Sequence, residues 1–163
     1  MADGLMRFLY RPGWRLRCVD PPIAWLRLEP GDVSGLGIRL QLTCYLASRW
    51  AGAVRVKQLR LRLRDGAAEI LVPCSSVVDD AGEPFPGESG YRVGNAAPTH
   101  AFADFVSVDP AVIAVLGDPG LPVPVVIEAL LNAAPDFRKI ADVDISHDSS
   151  LQSGGDWKRV GTG

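Results

Sequence analysis

From Val54 to Arg64 hydrophobic and basic residues alternate, Val-Arg-Val-Lys-Gln-Leu-Arg-Leu-Arg-Leu-Arg, with one break at Lys57-Gln58. A period of two sends successive side chains to opposite faces of a strand. Val54 and Val56 share a face with Leu59, Leu61 and Leu63 only if one extra residue resets the register, as a β-bulge does. The pattern therefore predicts a bulged strand with its valines and leucines inward and Arg55, Lys57, Arg60, Arg62 and Arg64 outward. Asp65-Gly66 reads as a tight turn into a second strand over residues 67–72.

The same period recurs along the chain. Residues 15–19 alternate until Asp20-Pro21-Pro22 stops them, which predicts a short edge strand, since proline removes a ladder donor. Residues 24–29 place Ala24, Leu26 and Leu28 on one face and Trp25 and Arg27 on the other. Ile38, Leu40, Leu42, Cys44 and Leu46 define a long strand, expected to be an antiparallel neighbour of the arginine strand across residues 48–52. Further strands are expected around 101–108, 123–131 and 138–145. Asp109 as cap, Pro110 at the first helical position and Gly117 as terminator predict a short connector helix. Residues 79–95 are acidic and rich in proline and glycine and read as a long loop with Phe85 and Tyr91 as aromatic anchors.

Seven or eight short strands without strand-helix-strand alternation predict an all-β fold, an antiparallel two-sheet β-sandwich, loosely immunoglobulin-like in strand count. Cys44 and Cys74 lie too close in sequence for the usual inter-sheet pair, so no family is claimed. A length of 163 residues predicts one domain, taken as 1–146, followed by a flexible, Ser/Gly/Asp-rich tail over 147–163.

Composition narrows the function classes. With 47% hydrophobic and 22% charged residues the chain is expected to fold, and a net charge of −2 supplies no global field for nucleic acid or an anionic membrane. The first residues lack a signal-peptide pattern and no run approaches the ~20 apolar residues of a membrane span, so a cytoplasmic location is expected. Three cysteines without a short pairing motif read as thiols in a reducing compartment.

The candidate chemistry is sparse. The basic stripe lacks interleaved aromatic residues for base stacking, which argues against nucleic acid and for a solvated or partner-facing sheet. His100 shares a strand face with Asp104, but no serine sits in a nucleophile context. Asp142, Asp144 and His147 are oxygen and imidazole ligand types, yet Val143 and Ile145 alternate with the acids as a strand requires. Gly35-Leu36-Gly37 opens no helix, as a phosphate cradle would. No catalytic, cofactor-binding or metal residues are therefore assigned, and no cofactor is expected. The favoured reading is a non-enzymatic interaction module, a subunit or adaptor of a larger assembly that meets a protein partner or itself. Trp25, Arg27, Arg55, Lys57, Arg60, Arg62, Arg64, Phe85 and Tyr91 are its candidate contacts. The alternatives are a small-ligand or carbohydrate-binding domain using Trp50, Phe85, Tyr91 and Phe137, and a small hydrolase or metal enzyme using the histidines.

Overall fold

The computed structural model describes residues 15–31, 34–47, 52–85, 90–132, 134–148, 150–151 and 154–162, with Arg15 and Thr162 described by backbone alone. In chain order the strands are β1 (Arg15–Cys18), β2 (Ile23–Glu29), β3 (Gly35–Ala47), β4 (Ala53–Asp65), β5 (Ala68–Val78), β6 (Tyr91–Gly94) and β7 (Thr99–Ser107). Helix α1 (Pro110–Gly117) follows, then β8 (Val123–Leu131), β9 (Arg138–Ile145) and β10 (Lys158–Thr162). Every ladder is antiparallel.

The expected separation into two sheets gives way to one sheet, in the order β10-β2-β3-β7-β5-β4-β8-β9, with β1 added to β3 and β6 to β4. The reason lies in β5. Residues 68–73 bond β4, and after a register shift between Cys74 and Ser76 the strand bonds β7 instead. A bulge bends a strand and raises its twist, so β5 turns the corner that a sandwich would leave open. The two ends then approach: Ser146, just after β9, donates its backbone N–H to the Val160 carbonyl of β10 at 2.7 Å. The architecture is an antiparallel sheet nearly closed into a barrel.

The bulge read from the arginine strand is present, as a register shift between Val56 and Gln58. Val54, Val56, Leu59, Leu61 and Leu63 are all buried. Gly66, at φ +58°, is the first residue of a two-residue loop between the paired Asp65 and Ala68, the geometry only glycine adopts at little cost. The two long strands are not neighbours, however, because β7 and β5 lie between them. Alternation specifies which face a residue presents; it leaves open which strand lies beside it.

Leu26, Leu36, Ile38, Leu40 and Leu42 meet Leu61, Leu63, Phe105, Ile127 and Ile145 in one core. Each such side chain contributes about 1.5–3 kcal/mol on burial. Helix α1 adds Val112 and Leu116 to this interior. Asp109 accepts a hydrogen bond from the Ala111 N–H at 2.9 Å and so caps a helix only eight residues long. Asp109→Ala is expected to lower stability by about 1 kcal/mol, read as a lower urea midpoint at unchanged m.

The segment expected to be a tail contributes structure. β10 pairs β2 and buries Val160. Its signal was weak because only one apolar residue of the strand faces inward, amid glycine and charge. Similarly, part of the expected 79–95 loop is ordered: Asp79 Oδ1 accepts from the Ala81 and Glu83 N–H groups, and β6 inserts Tyr91 and Val93 into the core.

Candidate functional site

The outer face of β2, β3 and β7 gathers the residues whose parity points away from the core. Trp25 lies on it and meets Phe102 with ring centroids 6.3 Å apart. Beside them Trp157, from the segment leading into β10, lies between two guanidiniums, with Arg27 4.4 Å and Arg39 4.7 Å from its ring centroid. Gly37 makes room for this stack: a Cβ there would stand 3.1 Å from the Trp157 ring and closer still to the Glu29 carboxylate. Both arginines are anchored. Arg27 donates to Glu29 at 3.0 and 3.2 Å, and Arg39 donates through two nitrogens to Asp104 at 2.7 Å each. Fork-to-fork pairing of this kind fixes a planar cation in one orientation. Val106, opposite Gly37 in the β3–β7 ladder and 47% exposed, extends the face with an apolar side chain.

The arginine stripe faces outward as read, but its central members are neutralised. Glu128, on β8 and only 7% exposed, accepts from Arg60 at 2.7 Å and from Arg62 at 2.9 Å. Arg62 also approaches Glu69 at 3.6 Å, and Arg60 stacks on the Phe137 ring at 3.8 Å. Burial by itself would raise the Glu128 carboxyl, but the hydrogen bonds and charges of Arg60 and Arg62 outweigh it and hold the group below the usual range. Arg64 stands opposite Glu69 across the hairpin, and Lys57 is exposed at the bulge. Glu128, which reading by alternation passed over inside an apolar run, is thus the organiser of the stripe.

The other sequence candidates are not brought together. Tyr91 is 4% exposed and turned inward, with Phe85 against it at 5.1 Å between centroids, so this pair anchors the loop to the barrel instead of presenting it. Phe137 sits apart, at a cleft of about 460 Å³ lined also by Lys57, Gln58, Cys74 and Ser76. Trp50 lies outside the described residues. His100 Nδ1 is 2.9 Å from the Thr43 hydroxyl while Asp104 holds Arg39, so the two do not form a dyad. His147 turns its Nε2 to the Leu116 carbonyl at 3.0 Å, whereas Asp142 pairs with Lys139 at 2.5 Å. Among the described residues no three potential ligands converge on one point.

One constellation escaped the sequence reading. Cys18 and Cys44 are direct partners in the β1–β3 ladder with sulfurs 3.5 Å apart. They titrate as a pair: the hydrogen bond between them helps the Cys44 proton leave and holds the proton on Cys18. Tyr91 packs nearby, its hydroxyl buried without a hydrogen-bond partner among the described residues and pushed up by burial and then by Cys44. Cys74 is isolated from them and pushed up to about 12, chiefly by burial. Spacing in sequence does not reveal the pair, because the register between β1 and β3 does.

Comparison with family models, with curated proteins and with solved structures finds no match to this chain. Among the described residues no helix is long and apolar enough to cross a membrane.

Proposed function

We propose that the protein acts without catalysis, as an interaction module that docks a protein partner on the outer face of β2, β3 and β7. The observation that supports this reading is the outward stack of Trp157 between Arg27 and Arg39, continued by Trp25, Phe102 and Val106. Tryptophan and arginine are the residue types that dominate contact energy at interfaces. Here the guanidiniums are held in place by Glu29 and Asp104 before any partner arrives, which reduces the ordering cost of docking. Glu29 and Asp104 neutralise the two guanidiniums beside Trp157, so the partner this face suits meets it through an apolar centre. The reading carries with it a cytoplasmic setting, in keeping with an odd number of cysteines and no short pairing motif in the sequence.

The test is proximity labelling in the native host with the wild-type chain and with a Trp25→Ser, Val106→Arg variant, followed by reconstitution with each purified protein whose labelling differs. A partner that binds the wild type and loses at least about tenfold in affinity with the variant supports the reading. An unchanged set of labelled proteins overturns it. A second reading, a small-ligand site, is favoured by the cleft beside Phe137, where β5 leaves β4 for β7. Glycan arrays and thermal-shift screens without a hit retire it.

A further inference from the structure

The geometry points to a reversible disulfide site at Cys18 and Cys44, entered through the cleft between β1 and the β8–β9 hairpin and loaded by a small anionic disulfide. This inference is independent of the docking face. Its first support is register. Val19 donates its N–H to the Thr43 carbonyl at 2.7 Å, which makes residues 19 and 43 a hydrogen-bonded pair. Antiparallel ladders alternate, so the next pair, Cys18 and Cys44, is a non-hydrogen-bonded one, where strands approach most closely and side chains lean together. The sulfurs stand 3.5 Å apart. Closing to a bond of about 2.0 Å requires side-chain rotation with little backbone movement.

The second support is access. Cys44 is fully buried, but Cys18 is partly exposed and lines a cleft of about 520 Å³. Leu16, Leu131 and Ile140 form apolar walls, Arg17 and Arg138 bring cationic groups to it, and Lys139 is paired with Asp142, which also lines it. A tripeptide disulfide with free carboxylates matches that combination in size and charge. Cys74 also borders a cleft, but it has no cysteine partner and its thiol donates to the Ser76 and Asp104 carbonyls.

The chemistry balances as thiol–disulfide exchange. Cys18 passes its proton across the 3.5 Å contact to the Cys44 sulfur and attacks one sulfur of glutathione disulfide, forming a Cys18–glutathione bond and breaking the original S–S bond. One glutathione thiolate leaves and takes up a proton. Cys44, its proton passed to solvent, attacks Cys18 Sγ, forms the cross-strand bond and expels the second glutathione. The protein is oxidised by two electrons and the small disulfide is reduced to two thiols. The product ties β1, a strand of only four residues, to β3 beside the cleft.

The full chain is reduced, freed of reductant and incubated with glutathione disulfide, then alkylated and mapped by mass spectrometry without reduction. A peptide linking Cys18 to Cys44, lost on treatment with dithiothreitol, is the expected result, with Cys74 alkylated throughout. Cys18→Ala should slow glutathione capture about tenfold or more while leaving circular dichroism unchanged. Cys44→Ser should instead trap the glutathione adduct on Cys18, and Cys74→Ser should change nothing. Alkylation of Cys18 and Cys44 as free thiols after prolonged exposure, an adduct that stays on Cys18 in the wild type, or preferential capture by Cys74 would each overturn the inference.

Discussion

Gly161→Val is expected to lower stability by about 3 kcal/mol, because the barrel closes where this residue sits. A Cβ at Gly161 would lie 2.6 Å from the Asp144 backbone oxygen, 3.2 Å from Val143 and 3.3 Å from Ala24. The nearest of these is main chain of β9 and cannot swing aside as a long side chain does. The β2–β10 ladder already shifts register between Arg159 and Gly161, so the strand has spent its local freedom in reaching this position. Valine must therefore push β10 from β9 and strain the hydrogen bond from Ser146 to Val160. Urea denaturation gives the size of the loss, and hydrogen exchange at the Ser146 amide gives its place. Gly37→Ala is the instructive contrast. Its worst contact is the end of the flexible Glu29 side chain, so it should cost far less, with disturbance confined to the Arg27 and Trp157 stack. Equal costs at the two glycines would show that β10 does not close the barrel as described.

Glu128→Gln is expected to cost about 2 kcal/mol at neutral pH, a fall of about 6 °C in Tm for a chain of this length. The substitution preserves shape but removes the charge that Arg60 and Arg62 share, leaving two partly buried guanidiniums side by side. The pH dependence follows from the direction of the shift. A carboxyl held below its ordinary value contributes stability that is fully present above the unfolded-state pKa and is lost as pH falls through the lower folded-state value. The deficit of the variant should thus be constant from pH 6 to pH 8 and shrink under strongly acidic conditions, about pH 3–4 and below. Thermal unfolding of both proteins across that range checks it. A difference that persists undiminished in acid would mean that the amide harms packing, and that the arginine pair does not depend on the charge.

Much of the fold is legible because the chain alternates so cleanly. The inward set of β3 and β4, the bulge at Lys57-Gln58, the tight turn after Asp65 and the capped helix all follow from side-chain period, glycine stereochemistry and proline placement. Local physics decides these within a few residues. β10 is harder to see, because one buried valine between arginine and glycine resembles a solvated tail until β2 and β9 are present to receive it.

The candidate surfaces divide in the same way. That Trp25, Arg27 and the five basic residues of β4 face outward is set by parity alone. That Glu128 neutralises two of those residues, that Trp157 returns from far along the chain to lie between Arg27 and Arg39, and that Cys18 meets Cys44 all depend on strand order and register. Alternation in a strand carries one bit per residue, inside or outside. Which strand lies alongside is set by where β5 bends and which ends meet, and those are properties of the closed sheet, where side chains distant in sequence share a core.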